Sequence, residues 1–258
     1  MNDKFEFPAC IRNIVKTGNF KIDSIGCSDS QVIIFDDYVL KIEKEQEESN
    51  NEYAMLQWLR DKLPVPSLYV SHKEKGMHYL LMSKLKGEMA YSEYWLKRPE
   101  QQIHLMAEGL KMLWAVDTTD CPYSNRIEKK LKSAKYRVDN GLAGREDCEP
   151  ETYGENGFKS PEELVTWLVK HQMEEELVFS HGDYCPPNIF ISDNKISGFL
   201  DLGRAGISDK WQDIALCVRS IGHNFGKDSI YTDQLFDELG LEANPDKIRY
   251  YILLDELF

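Results

Sequence analysis

The first third of the chain alternates between apolar and polar positions. Val32, Ile33, Ile34 and Phe35, then Val39, Leu40 and Ile42, form two apolar runs on either side of Asp36-Asp37. β-branched and aromatic runs flanking a polar dipeptide predict a hairpin with strands at 31–35 and 38–42. Further apolar runs at 67–70 and 77–82 predict two more strands. Between these pairs the period changes. Glu52, Met55, Leu56 and Leu59 recur at i, i+3, i+4 and i+7, which is one face of a helix. The charged run 43–51 leads into that helix, which is expected to end near Lys62, with Pro64 and Pro66 stopping it. Lys86-Gly87-Glu88 then breaks the strand pattern, and a lobe boundary is expected near 83–88.

The helical period dominates the remainder. Ile103, Met106, Leu110 and Leu113 mark a stripe on a helix over 100–116. After a loop with Gly141, Gly144, Gly154 and Gly157, Ser160-Pro161-Glu162-Glu163 has the form of a capping box with proline at the first helical position. Helices are expected at 209–221 and 246–258. Two strand signals interrupt the helices: an apolar run at 176–180, and a hairpin of 188–191 and 196–200 around Asp193-Asn194-Lys195. The fold class expected is α+β, with a small strand-rich lobe (1–83), a hinge (84–88) and a larger, mainly helical lobe (89–258).

Composition narrows the setting. A chain of 258 residues with 42% apolar and 29% charged residues buries a sizeable core. No apolar run approaches the roughly 20 residues that span a bilayer, and the first residues lack a secretory pattern. The six cysteines form no Cys-x-x-Cys pair and read as reduced thiols, so a cytoplasmic location is expected. A net charge of −13 argues against nucleic acid and anionic membrane as partners and is compatible with a cationic substrate.

The candidate chemistry lies in Ser180-His181-Gly182-Asp183-Tyr184-Cys185-Pro186-Pro187-Asn188 and in Gly198-Phe199-Leu200-Asp201-Leu202-Gly203. An Asp, an Asn five residues later and a second Asp at the end of the next strand are the layout of a phosphoryl-transfer site. The hairpin brings Asn188 near Asp201, and two oxygen ligands suit magnesium, which keeps waters and phosphate oxygens in its shell. Asp183 stands on the turn before them, while His181 is expected to anchor that turn rather than act as a base. Lys41 alternates in phase with Val39, so its stem faces inward, and Glu52 shares the apolar face of the following helix. A carboxylate on a buried face needs a partner, and Lys41 supplies one, with Glu48 as the runner-up. A strand–helix Lys–Glu pair is the device that positions nucleotide in kinases. Gly26-Cys27-Ser28-Asp29-Ser30 stands where a phosphate-covering loop belongs, or is an ordinary polar turn. Arg204 contacts a phosphate or substrate, or forms a local ion pair.

These motifs, with Leu63-Pro64-Val65-Pro66, Leu80-Leu81-Met82-Ser83, Asp120-Cys121-Pro122-Tyr123, Cys217-Val218-Arg219-Ser220-Ile221 and the terminal 250–258 run ending Asp255-Glu256-Leu257-Phe258, resemble the aminoglycoside 3′-phosphotransferases along nearly the whole chain. The resemblance implies a protein-kinase-like two-lobed fold and a magnesium-dependent kinase using ATP or GTP, active as a monomer or weak dimer. It implies Asp183 as the catalytic residue and Asn188 and Asp201 as magnesium ligands. It also implies Lys41, Glu52, Ser28 and Met82 at the nucleotide, and Arg204, Glu149, Asp255, Glu256 and the Phe258 carboxylate at the aminoglycoside. Similar members can carry acidic residues where this chain has Pro186, His223 and Asn224, and Thr152 stands where a Glu is expected, so a less acidic acceptor pocket is expected here. Two other readings stay open: a kinase for another amine-bearing alcohol, such as choline, and a non-catalytic nucleotide-binding module. The latter is disfavoured by the joint presence of Lys41, Asp183, Asn188 and Asp201.

Overall fold

In the computed structural model the described residues are 7–15, 20–23, 30–145 and 148–258. A short helix, α1 (Ala9–Val15), precedes β1 (Lys21–Asp23), β2 (Gln31–Ile34), β3 (Tyr38–Lys44), helix α2 (Glu47–Trp58), β4 (Leu68–Glu74) and β5 (Met77–Ser83). The strands form one antiparallel sheet in the order β1-β2-β3-β5-β4. The four expected strands are present, with β1 added at the edge. Side chains alternate across β3 as period two requires. Leu40 and Ile42 join Ile11, Ile33, Phe35 and Leu81 in a small core on one face, while Val39 and Lys41 open onto a cleft on the other.

Helix α2 buries Glu52, Met55 and Leu56, with Leu59 buried at its C-cap. The expected face is thus the observed one, but the helix stops at Trp58 rather than near Lys62. The chain tightens there: Lys62 N and Leu63 N both donate to Leu59 O, at 2.8 and 3.0 Å. That turn delivers Leu63 into the core ahead of Pro64.

The rest of the chain supplies β6 (Glu88–Met89), α3 (Glu93–Leu96), α4 (Pro99–Trp114), α5 (Ile127–Asp139), α6 (Pro161–Lys170), β7 (Leu177–Ser180), β8 (Ile189–Ser192), β9 (Lys195–Phe199), β10 (Gly206–Asp209), α7 (Lys210–Phe225), α8 (Ile230–Leu239) and α9 (Pro245–Asp255). The stripe on α4 is buried as expected. Ser160 Oγ caps α6 by accepting from Glu163 N. Helix α5 was not legible, because its apolar residues Ile127, Leu131, Ala134 and Val138 form one narrow stripe in a Lys-rich segment. The β8–β9 hairpin turns through Asp193 and Asn194, both left-handed at φ 53° and 57°, the geometry of a two-residue type I′ turn. β7 does not join that hairpin. It pairs antiparallel with β10, Ser180 opposite Gly206 and Leu177 opposite Asp209. Among the described residues no helix is long and apolar enough to cross a membrane, and Cys10, Cys121, Cys185 and Cys217 are free thiols.

Candidate active site

One wall of a cleft of about 850 Å³ is the sheet. Val39, Lys41 and Met82 line it there, and Asn188, Leu200 and Asp201 line it from the β8–β9 side. The Lys41 ammonium donates to Glu52 Oε2 at 2.7 Å and to Asp201 Oδ1 at 2.9 Å, and lies 3.6 Å from Glu43 Oε2. Burial alone would depress this ammonium, but Glu52, Asp201 and Glu43 outweigh it and hold its pKa above the ordinary lysine value. Burial pushes the Glu43 carboxyl up to about 7 against the pull of Lys41. Glu48, the alternative partner, faces Arg204 at 3.4 Å instead.

The opposite wall is built on backbone constraints. After β7 the chain turns through Gly182 at φ +81°, where a Cβ would lie 2.1 Å from Arg204 O, so a side chain there has neither the conformation nor the space. The turn is fixed by the fully buried Asp213 of α7, whose carboxylate accepts from His181 N at 2.7 Å and Gly182 N at 2.9 Å. The His181 ring is fully buried between Tyr184 and Phe199, but neither ring nitrogen has a hydrogen-bond partner among the described residues, so the turn is anchored by the His181 main chain rather than by the expected hydrogen bond of its ring. Tyr184 is pinned by its hydroxyl to Met106 O at 2.7 Å, beside Gly109, where a Cβ would meet that hydroxyl at 2.2 Å. The half-buried Asp183 therefore projects from a rigid turn.

Asn188 follows on a 3₁₀ turn (Pro186–Asn188). Its amide nitrogen donates to Asp183 O and Asp183 Oδ2, both at 3.0 Å, which leaves its amide oxygen for a cation. Leu200 N donates to Asn188 O at 2.9 Å and sets Asn188 beside Asp201. Asp201 is left-handed at φ 55°, a conformation that Asp tolerates better than most residues. Burial pushes its carboxyl up, but Lys41 outweighs this and holds it below the ordinary range. Among the described residues no three His, Cys, Asp or Glu side chains converge to hold a metal by themselves. An amide oxygen and a carboxylate side by side fit magnesium, which takes few protein ligands and completes its shell with phosphate and water.

The loop after Asp201 is clamped from both sides. Asn51 of α2 donates to Gly203 O at 2.9 Å and Ala205 O at 2.8 Å, and Asn125 donates to Arg204 O at 2.8 Å. Arg204 pairs with Asp255 Oδ1 at 3.1 Å, and Arg219 holds Asp255 Oδ2 at 2.8 Å. Arg137 donates to Leu257 O at 2.7 Å and Phe258 O at 3.2 Å, fixing the chain end. Glu256 Oε1 accepts from Glu149 N at 2.8 Å. Arg204 is thus joined to Asp255 and packs over the Phe258 ring, and the neighbouring Glu256 is joined to Glu149. Lys130 lines the small cavity between Arg204 and Asp255. Burial pushes its ammonium down to about 8, against the pull of Asp255 and with Arg204 adding to the depression. Lys130, Asp213, Asn51, Asn125 and Arg137 were missed from sequence. Asp213 alone left a signal, a carboxylate in the buried run of α7. Ser28, with the rest of 24–29, lies outside the described residues.

A buried Lys–Glu pair joined to Asp201, with Asn188 beside it and holding Asp183, is the arrangement of a phosphotransferase of protein-kinase-like type. The profile of the phosphotransferase enzyme family (APH) matches residues 20–251. An aminoglycoside 3′-phosphotransferase from Enterococcus faecalis is 45% identical over 209 residues, 80% of this chain and 78% of that one. The chain belongs to the phosphotransferase enzyme family and, within it, to the aminoglycoside 3′-phosphotransferases. Its fold is similar to the crystal structure of an aminoglycoside-3′-phosphotransferase of type VIII (TM-score 0.80, 22% identity, 96% of this chain and 98% of that one). It is also similar to the aminoglycoside phosphotransferase APH(3″)-Id from Streptomyces rimosus in complex with ADP and streptomycin (TM-score 0.77, 20% identity, 96% of each chain).

Proposed function

We propose that this protein transfers the γ-phosphoryl group of ATP or GTP to the 3′-hydroxyl of kanamycin- and neomycin-type aminoglycosides in the cytoplasm, as a monomer or weak dimer, and so confers resistance to them. The observation that carries this reading is the Lys41–Glu52 pair meeting Asp201 in the cleft, with Asn188 lining the cleft beside it and holding Asp183. Residues 1–83 and 89–258 act as nucleotide-binding and catalytic lobes, with 84–88 as the hinge. The ADP complex of the structural relative supports a nucleotide donor.

Residues around the cleft divide the work. Met82, just before the hinge, meets the base. Glu52 fixes the Lys41 ammonium, which neutralises the phosphates that are not transferred. Asn188 and Asp201 would hold magnesium, which when bound draws charge from the phosphate oxygens. Asn188 also ties one Asp183 oxygen, leaving the other to accept the hydrogen bond of the acceptor hydroxyl. That hydroxyl oxygen forms the new P–O bond as the bond to the leaving diphosphate breaks, and its proton passes to Asp183. Asp255, Glu256 and Glu149 take ammonium groups through charge-assisted hydrogen bonds, with Arg204, packed on the Phe258 ring, positioning Asp255. Catalysis is then mainly orientation and electrostatics.

In a coupled nucleotide-consumption assay with kanamycin, Asp183→Ala and Asp201→Ala should each lower turnover by about a thousandfold or more while the chain stays folded. Near-wild-type turnover in either variant would contradict the mechanism.

A further inference from the structure

The acceptor-side carboxylates are held in different ways. Asp255 lies between two guanidinium groups, Arg204 at 3.1 Å and Arg219 at 2.8 Å, whose side chains are only 30% and 24% exposed. Glu149 is held by two side chains, His223 at the C-terminal end of α7 and Lys227 just beyond it. His223 Nε2 lies 2.5 Å from Glu149 Oε1 and Lys227 Nζ lies 3.8 Å from Glu149 Oε2. These two side chains are 57% and 61% exposed, while the Glu149 side chain they cover is 17% exposed. Lys227 is anchored a second time, to Glu151 Oε1 at 2.7 Å. From the other side, Glu256 Oε1 accepts from Glu149 N at 2.8 Å, so the main chain beneath Glu149 is fixed whatever its side chain binds. Glu149 therefore has a fixed main chain and a carboxylate under two exposed caps that can swing into water. Exposed ion pairs contribute little net stability, so the caps are exchangeable, yet an incoming cation must displace them.

We propose that His223, backed by Lys227, is a specificity-determining residue of the acceptor pocket, competing with an ammonium group of the acceptor for the Glu149 carboxylate. The inference rests on the aminoglycoside reading above. An acceptor with an ammonium at this end of the pocket opens the clamp and loses part of that contact in doing so. An acceptor without one leaves the clamp closed. The clamp thus reduces the advantage of the more cationic acceptors.

The test is a cycle on the full-length enzyme with kanamycin and neomycin as probes, reading acceptor KM, nucleotide KM and kcat. His223→Ala should lower the acceptor KM about three- to tenfold with the nucleotide KM unchanged, and Lys227→Ala should move it the same way. Glu149→Gln should raise the acceptor KM by a factor at least about threefold larger in the His223→Ala/Lys227→Ala background than in the otherwise unaltered enzyme. A merely structural role for His223 would move both KM values together. An equal Glu149→Gln penalty in the two backgrounds, or an acceptor KM not lowered by His223→Ala, would overturn the inference and leave the function standing. If neither acceptor is phosphorylated by any form while nucleotide still binds, the function falls and the inference with it.

Discussion

The Lys41 ammonium donates to Asp201 Oδ1 at 2.9 Å, joining β3 to the residue that follows the β8–β9 hairpin across 160 positions of chain. The same ammonium serves Glu52 at 2.7 Å, and Glu43 stands 3.6 Å away, so one cation balances three acidic groups. Lys41→Met leaves Glu52, itself 4% exposed at the side chain, buried without a counter-ion and with only the Leu202 main chain to hold it. Breaking a buried pair in this way typically removes about 3–5 kcal/mol of stability. Urea denaturation should show a loss of that order in Lys41→Met and a much smaller loss in Lys41→Met/Glu52→Gln. Both variants should lack activity, because neither restores a cation to the phosphates. A double variant as unstable as the single one would contradict the pairing.

Glu43 makes stability depend on pH in a stated direction. Its carboxyl is raised to about 7 by burial, from an ordinary value near 4.5. Between those values the folded protein binds more protons at this site than the unfolded chain does. The contribution is therefore fully present below about pH 4.5, is lost as pH rises toward 7, and changes little beyond that. It amounts to about 3 kcal/mol at most. Melting temperatures of the wild type and Glu43→Gln should differ more at pH 8 than at pH 5, with the variant gaining relative stability at the higher pH. Parallel pH profiles for the two proteins would show that Glu43 is not raised.

The turn that presents Asp183 depends on Asp213 and Gly182. Asp213→Ala leaves His181 N buried without an acceptor and Gly182 N with only Ser180 Oγ at 3.1 Å, a loss of about 2–3 kcal/mol. Gly182→Ala imposes a left-handed backbone at φ +81° on a side chain whose Cβ would sit 2.1 Å from Arg204 O. Both variants should lose kcat by at least about a hundredfold. Nucleotide KM should stay within about threefold, since Lys41 and Met82 are untouched. A large rise in nucleotide KM with kcat preserved would place this turn outside the phosphoryl-transfer step.

Much of this site is legible in sequence because its constraints are local. A carboxylate at Glu52 on an apolar helix face demands a buried cation, and Lys41 is the inward-facing strand lysine that meets it. A hairpin of two short strands places Asn188 beside Asp201 without knowledge of the rest of the fold. What stays hidden depends on long-range packing. The β7–β10 pairing joins segments separated by a hairpin and a turn, and β10 carries only a weak alternation. Lys130 sits among neighbouring lysines on α5, and only the tertiary fold turns it rather than Lys129 or Lys132 toward Asp255. The contact between His223 and Glu149 spans 74 residues and follows no motif.

Regiochemistry tests the central claim most directly. Purified enzyme with magnesium and ATP would be given kanamycin and, separately, the 3′-deoxy aminoglycoside tobramycin, and products would be read by mass spectrometry and by the rate of nucleotide consumption. Kanamycin is expected to gain one phosphoryl group while tobramycin gains none and drives no nucleotide consumption above background. Phosphorylation of tobramycin at a rate similar to that of kanamycin would contradict transfer to the 3′-hydroxyl.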